Sequence, residues 1–288
     1  MKLRCLVLVT AILLAGCQPE KPPVPVVVGA KSTTEQRVLG EILAQVIEDW
    51  GMVAERRFDL GGTADCDKAL REGKIDVYVE YSGLALISIV RSPNAAAAFA
   101  AGPDIVMQKL KVTYEPAGLV WAAVLGFDNP YVLVVQGSAA ATNISEAVPS
   151  AANWRAGFPI DFQQRTDFLP TLKKSYNLKF GEVRTIEADK AYQAIAEHQV
   201  DVIVGNANDA AIPRLSLRAL EDDHQVLPIF QAAPVVRRLA LQQHPDLEAA
   251  LNSMGELLDA PTIRRMNAAV EIDKRPLAEV AAEWVAGL

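Results

Sequence analysis

The chain alternates short apolar runs with longer segments whose apolar positions recur at helical spacing. An apolar run at 24–30 is followed by apolar side chains three and four residues apart between Leu39 and Ile47, and then by a second short run at 53–60. The short runs predict strands, and the spacing between them predicts an amphipathic helix. Glu35 is a favourable negative charge at the start of that helix. Because this order continues along the chain, with a strand predicted over 156–162 and a helix over 166–176, we predict βαβ units, an α/β fold and mainly parallel sheets. The alanine run at 95–101 predicts a further helix.

One helix–turn–strand segment occurs twice. Residues 69–81 read ALREGKIDVYVEY, and residues 194–206 read AIAEHQVDVIVGN, aligned without gaps at an offset of 125. The alignment pairs Tyr81 with Asn206 at the ends of two strands. Ligands of such sheets bind beyond the carboxyl ends of the strands, so we expect Glu80, Tyr81 and Asn206 at the ligand cleft. We therefore predict two lobes around a ligand cleft, with 26–128 plus 231–288 as lobe 1 and 129–230 as lobe 2.

The first residues are typical of a secretory signal. Lys2 and Arg4 precede an apolar run at 5–14, and Leu-Ala-Gly-Cys follows at 14–17. The ending resembles the bacterial lipobox, which predicts that residues 1–16 are removed and Cys17 is lipidated. A proline-rich tether completes residues 17–25. We expect a lipid-anchored protein of the periplasm, and Gln18 favours the outer membrane; a plain signal peptide or a buried helix are the alternatives.

Composition and motifs point away from several classes of protein. The 288 residues are 22% charged with a formal net charge of −7 and no basic cluster, which argues against nucleic acid as a partner. Only Cys66 would remain in the mature chain, so we expect neither a disulfide nor a thiolate metal site. Hydrolase, phosphate-loop and zinc motifs are absent from the sequence. We expect no cofactor, no metal and no catalysis, and a monomer.

An ordered set of segments resembles the periplasmic binding proteins of osmoprotectant ABC importers, the group that binds glycine betaine, choline or carnitine. The resemblance covers residues 26–286 and implies a two-lobed type II binding-protein fold. It also implies a small-molecule ligand captured by lobe closure and a membrane permease as partner. The segments are GAKSTTEQRVLGEIL, LGGT, GKIDVYVEYSG, GFDNPYVL, FQQRTDF, KAYQAI, VDV and APVVRR.

The resemblance also implies ligand contacts at matching positions. They are Lys31 and Arg165 as basic residues of the cleft, Tyr81 and Tyr131 as tyrosines of an aromatic cage, and Asn129 as a polar support. Each tyrosine could instead be a buried residue with a bonded hydroxyl. Arg165 could instead pair with Asp161 or Asp167, and Lys31 could be solvated.

Four positions depart from the family pattern. Asn206 stands where the family has an aromatic residue, Phe230 where it has a tyrosine, Leu84 where it has a threonine, and Thr33 where it has a phenylalanine. A lost π face weakens the binding of a quaternary ammonium. The ligand is therefore either a quaternary amine or a neutral, more apolar molecule such as a lipid, carried by a different transport system. An enzyme using Tyr81, Glu80 or Lys31, and a sensory or structural lipoprotein, are further alternatives.

Overall fold

The computed structural model describes residues 23–165 and 168–288, and within them ten strands form two five-stranded sheets. Sheet 1 has the order β2-β1-β3-β10-β4, and sheet 2 has the order β7-β6-β8-β5-β9. The strands are β1 Val26–Gly29, β2 Ala54–Arg57, β3 Val77–Tyr81, β4 Leu119–Trp121, β5 Tyr131–Gln136, β6 Arg155–Phe158, β7 Glu182–Thr185, β8 Val202–Asn206, β9 Leu217–Ala219 and β10 Ala232–Arg237.

Helices flank both sheets. A π-helical turn at Ala85–Ile89 continues α3, and four helices, α11 to α14, form the C-terminal tail. The helices are α1 Thr34–Asp49, α2 Thr63–Arg71, α3 Ser82–Leu84, α4 Ala95–Ala100, α5 Pro103–Tyr114, α6 Ile144–Ala151, α7 Ile160–Gln164, α8 Leu169–Tyr176, α9 Ala191–Ala196, α10 Ala211–Arg214, α11 Arg238–Gln243, α12 Leu247–Ser253, α13 Ala260–Glu271 and α14 Leu277–Val285.

Both sheets are built on the same mixed plan. In sheet 1, β1 pairs in parallel with β2 and β3, while β10 pairs antiparallel with β3 and β4. In sheet 2, β6 pairs in parallel with β7 and β8, while β5 pairs antiparallel with β8 and β9. The predicted two-lobed α/β fold is confirmed, but parallel and antiparallel pairings are equal in number. The reason is that β5 and β10 each follow directly on a segment that crosses between the sheets.

The two crossing segments lie side by side. Asp128 and Gln231 form an isolated antiparallel bridge, and the backbone N–H of Asn129 donates to the carbonyl of Phe230 at 3.2 Å. All strands of sheet 2 fall within 129–230, and those of sheet 1 fall on either side of that range. This arrangement agrees with the predicted division, whose boundaries stay a prediction. Two adjacent crossovers make a hinge of the kind on which lobes close.

The repeated segment occupies equivalent places in the two sheets. β3 and β8 lie at the centre of their sheets, each between a parallel strand and an antiparallel one. The aligned aspartates also have equivalent roles: Asp76 accepts from the backbone N–H of Val27 at 2.9 Å, and Asp201 accepts from that of Arg155 at 2.8 Å. The repeat is therefore a structural one that fixes how each central strand joins its parallel neighbour.

Local sequence explains the best-formed helix. Thr33 caps α1 through its hydroxyl, and Glu35 places a negative charge in the positive first turn. The apolar face buries Leu39, Ile42, Leu43 and other side chains against sheet 1. Gly51, with φ of +79°, follows the helix end, as C-terminal glycines do. No helix of the described residues is both long enough and apolar enough to span a bilayer.

Some predicted elements differ in extent. A strand expected over 53–60 is limited to β2, and one expected over 156–162 ends at Phe158 because Pro159 follows and α7 begins. A helix expected from Thr166 begins at Leu169 in the structure, and Thr166 itself lies outside the described residues. The alanine run at 95–101 is helical as predicted.

Candidate functional site

A cavity of about 290 Å³ lies between the two sheets, at the ends of β3 and β8. Seven of the nine predicted ligand contacts line it, and Arg165 and Phe230 are not among the lining residues. The seven are Lys31, Thr33, Tyr81, Leu84, Asn129, Tyr131 and Asn206. The glycine turn at 61–63 also lines the cavity.

Lys31 is a buried partner of Glu80 and not a solvated side chain. Its Nζ lies 2.5 Å from Glu80 Oε1 and donates to Thr63 Oγ1 at 2.7 Å. Glu80 is fully buried and also accepts from the Tyr81 backbone N–H at 2.6 Å and the Tyr78 hydroxyl at 3.2 Å. The lysine charge is thus balanced within the protein. Glu80, expected at the cleft, is not among the residues that line the cavity.

Glu35 provides a buried carboxylate on the cavity wall. It is 8% exposed, and the Tyr81 hydroxyl and Asn129 Nδ2, the latter at 2.8 Å, both donate to its Oε1. Asn267 Nδ2 donates to its Oε2 at 3.2 Å. These three donors are neutral, and no cationic side chain of the described residues bonds to Glu35. Glu35 is therefore a buried carboxylate at the cavity to which no cationic side chain of the described residues is bonded.

Burial changes the acid–base behaviour of this wall. Desolvation raises the pKa of Glu35, and the nearby Asp209 carboxylate raises it further, against the effect of the three hydrogen bonds. Desolvation, followed by the Glu35 charge, also raises the pKa of Tyr81. Asp209, which accepts from the Tyr192 hydroxyl at 2.6 Å, has its pKa raised by burial as well. Glu271 is a third carboxylate of the lining.

Tyr131 stands within a group of aromatic rings at the edge of the cavity. Phe162, Phe168 and Phe230 contact its ring edge-to-face, with centroids 4.5, 6.3 and 5.4 Å away. The Arg165 guanidinium lies 4.8 Å from the Tyr131 centroid, in a cation–π arrangement. The alternative ion pairs of Arg165 with Asp161 or Asp167 involve side chains outside the described part of the structure.

The ring of Phe230 packs so closely against residue 83 that only glycine fits there. It is 1% exposed, and a Cβ at position 83 would lie 1.8 Å from its Cδ1. Gly83 is therefore required for this contact. Phe230 contacts the ring of Tyr131 edge-to-face from outside the cavity lining, and its role at the family's second tyrosine position stays a prediction.

Asn208 joins lobe 2 to lobe 1 beside the cavity. Its backbone N–H donates to Asn129 Oδ1 at 3.3 Å, and its side-chain Nδ2 donates to the Asp128 carbonyl at 3.0 Å. Its own carbonyl accepts from Asn267 Nδ2 at 3.3 Å, and its Oδ1 accepts from Arg264 at 3.5 Å. Every polar group of this 1% exposed residue is bonded to the hinge or to α13. Contacts of this kind favour the closed arrangement of two lobes.

Several residues of the lining were not predicted as site residues. Glu35 and Gln36 lie inside a segment that carried the family resemblance, but Glu35 was interpreted only as a favourable charge at a helix start. Asn267 and Glu271 are four residues apart on α13, and their polar positions in an amphipathic tail were the available signal. These residues are Thr34, Glu35, Gln36, Asn208, Asp209, Ala210, Asn267 and Glu271. The described residues hold no group of side chains suited to a metal ion.

Comparison with known proteins agrees with the fold. A family model described as the substrate binding domain of an ABC-type glycine betaine transport system matches residues 24–287. The crystal structure of a glycine betaine/carnitine/choline ABC transporter protein superposes with a TM-score of 0.78 at 24% identity, covering 91% of this chain and 98% of that one. Apo YehZ from Escherichia coli superposes with a TM-score of 0.74 at 26% identity, with the same coverage.

Two curated relatives extend the comparison. The chain is 30% identical to a glycine-betaine-binding protein of Pseudomonas aeruginosa over 90% of this chain and 86% of that protein. It is 28% identical to an ergothioneine transport permease/ergothioneine binding protein of Helicobacter pylori over 91% of this chain, and it spans 47% of that longer protein. These matches are to binding proteins and not to enzymes. The chain therefore belongs to the family of substrate-binding domains of ABC-type glycine betaine transport systems.

Proposed function

We propose that this chain captures a small organic cation, a quaternary amine of the betaine or choline type, and delivers it to the permease of an ABC importer. The observation that supports this ligand class is Glu35, a buried carboxylate on the cavity whose bonded partners are all neutral. A buried carboxylate without a counter-charge is unfavourable. A ligand cation in the cavity would compensate it.

The rest of the lining supports a charged ligand over a neutral or apolar one. Asp209 adds a second carboxylate, and the other two charged side chains of the lining are already paired, Lys31 with Glu80 and Glu271 with Arg214. Tyr81 and Tyr131 supply the aromatic surface, while Asn206 supplies an amide where the family has an aromatic residue. A lipid-like ligand would have to cover these polar groups without bonding to them, which is costly.

Closure of the lobes would complete the capture. The paired crossovers at 128–129 and 230–231 form the hinge, and the bonds of Asn208 to α13 hold the lobes together on one side of the cavity. A substrate-binding component of an importer works outside the cytoplasmic membrane, and the closed form would be the one that the permease recognises.

Isosteres that lack the ammonium charge provide the test of this function. Choline is compared with 3,3-dimethylbutan-1-ol, and glycine betaine with 3,3-dimethylbutanoate, in each of which a tert-butyl group replaces the trimethylammonium group. We expect titration calorimetry to show that the trimethylammonium member of at least one pair binds about 30-fold more tightly, since cation–π and charge contacts contribute about 2 kcal/mol. Equal affinity within both pairs, or tighter binding of the tert-butyl member, would overturn the proposed ligand class.

The protein would act as a lipid-anchored monomer. The Leu-Ala-Gly-Cys sequence at 14–17 supports attachment through Cys17, and Gln18 supports the outer membrane. We expect intact mass measurement of the protein purified from membranes to show a diacyl or triacyl modification that Cys17→Ala abolishes. An unmodified, soluble wild-type protein would contradict the anchor, and light scattering of the released domain checks the monomer.

A further inference from the structure

The side chain of Gln36 is buried against the cavity with both amide atoms unpartnered. It is 3% exposed, and within residues 23–165 and 168–288 neither Nε2 nor Oε1 makes a hydrogen bond. The Gln36 amide lies close enough to Tyr81 to act against the rise in the pKa of that tyrosine. Its geometry nevertheless does not form a hydrogen bond with the tyrosine hydroxyl. A buried amide left in this state is unfavourable, because each unpaired group has lost its hydrogen bonds to water without gaining a partner in the protein.

Asn267 presents a third unpartnered atom from another element. It lies on α13, lines the same cavity and is 3% exposed, and its Oδ1 has no hydrogen bond within the described residues. Its orientation is fixed, because its Nδ2 donates to Glu35 Oε2 and to the Asn208 carbonyl. The Asn267 amide therefore cannot rotate by 180° to give its Oδ1 a partner without losing both of these hydrogen bonds.

The three unpartnered atoms have a defined chemical preference. Gln36 Oε1 and Asn267 Oδ1 accept hydrogen bonds, and Gln36 Nε2 donates them. A trimethylammonium group has no N–H, so it satisfies none of these atoms. A primary amide whose oxygen and nitrogen are both available matches a group that carries a donor beside an acceptor, such as an amide, a ureido group or an azole ring.

We infer that Gln36 and Asn267 form a polar subsite for a second group of the ligand, one that carries an N–H beside a hydrogen-bond acceptor. This inference rests on the proposed function and deepens it. The ligand is then an organic cation with an amide-like or azole-like group, and not a simple betaine. Glu35 lies beside the subsite, since Asn267 donates to its carboxylate.

Two betaines of equal charge distinguish this subsite from a general cation site. Histidine betaine carries an azole with an N–H and an acceptor nitrogen, and phenylalanine betaine carries a ring of similar shape with neither. We expect calorimetry on the wild-type protein to show at least tenfold tighter binding of histidine betaine, because a site built for hydrogen bonds discriminates against a group that lacks them. This comparison needs no variant, so it decides the inference whether or not a variant folds.

Variants then locate the preference. In Gln36→Met, which keeps the length of the side chain, we expect the ratio of the two affinities to fall below threefold. Gln108→Met, the same change at an exposed position on α5, should leave the ratio unchanged. Thermal unfolding confirms that each variant is folded.

The outcomes separate the two proposals. If glycine betaine or phenylalanine betaine binds and histidine betaine has no advantage, the subsite is wrong and the proposed function stands. A preference that persists in Gln36→Met also overturns the subsite. If no trimethylammonium ligand binds at all, the proposed function fails and the subsite fails with it.

Discussion

Glu35→Gln should lower the affinity for a quaternary ammonium ligand by about 100-fold. The substitution keeps the shape of the side chain and removes the carboxylate that has no counter-charge bonded to it. Truncating one member of a buried charge pair typically costs about 2–5 kcal/mol, and 2.7 kcal/mol corresponds to a factor of 100. Calorimetric titration of wild type and variant with the same ligand measures the change.

The same variant should be at least as stable as wild type when no ligand is present. Burial raises the folded-state pKa of Glu35 above its unfolded value. The group therefore stabilises the unliganded fold most below the unfolded pKa of about 4.5, and this contribution is lost as the pH rises through the folded pKa. Glu35→Gln removes that dependence. The unfolding free energy of the variant should therefore decline less from pH 5 to pH 8 than that of wild type.

The pH dependence of binding should have the opposite sign. A cation favours the ionised form of Glu35, so affinity for a quaternary ammonium, whose own charge does not titrate, should weaken as the pH falls through the pKa of Glu35. Asp209, with its raised pKa, contributes in the same direction. Unchanged affinity in Glu35→Gln at neutral pH would show that the carboxylate has only a structural role.

A matched control lies in the same cavity. Glu271 is also a lining carboxylate, but its side chain is 33% exposed and lies 3.7 Å from Arg214. Because this charge is already paired and partly solvated, Glu271→Gln should lower the affinity less than threefold. A similar loss in both variants would mean that the general negative potential of the cavity, and not Glu35, determines binding.

The parts of the site that follow strands were predictable from the sequence. Strand patterns are short-range, and the repeat at an offset of 125 placed Tyr81 and Asn206 at equivalent strand ends, which the structure brings to one cavity. The mixed character of the sheets was not predictable in this way. It depends on which strand enters each sheet from a crossover, and hydrophobic runs carry no direction.

The carboxylates show a second limit of what the sequence can predict about the site. Glu80 and Tyr81 are adjacent in the chain and were both expected at the cleft, but successive side chains of a strand point to opposite faces. Glu80 accordingly bonds Lys31 and Tyr78, while Tyr81 bonds Glu35. The significance of Glu35 depends on Asn267, more than 200 positions away on the tail, and such a contact requires the tertiary fold.

Lys31→Met should lower the free energy of unfolding by about 3 kcal/mol. Glu80 has no exposed surface, and the substitution would leave its carboxylate buried with only neutral donors, from Thr63, Tyr78 and the Tyr81 backbone. Removing one partner of a buried ion pair costs about 3–5 kcal/mol because the other charge stays uncompensated. Denaturant unfolding of the ligand-free protein measures this loss.

The double variant Lys31→Met with Glu80→Gln separates this role from direct ligand binding. Glutamine can still accept from the Tyr81 backbone N–H, and no unpaired charge remains, so stability should return to within about 1 kcal/mol of wild type. If Lys31 serves to balance Glu80, the double variant should also bind glycine betaine and choline with the same relative affinity as wild type. If Lys31 instead contacts the ligand carboxylate, Lys31→Met should keep its stability, and both variants should lose affinity for glycine betaine alone. We expect restored stability and an unchanged relative affinity in the double variant, because the charge of Lys31 is already balanced by Glu80. Glu35 then remains the uncompensated carboxylate of the cavity, which a ligand cation would neutralise.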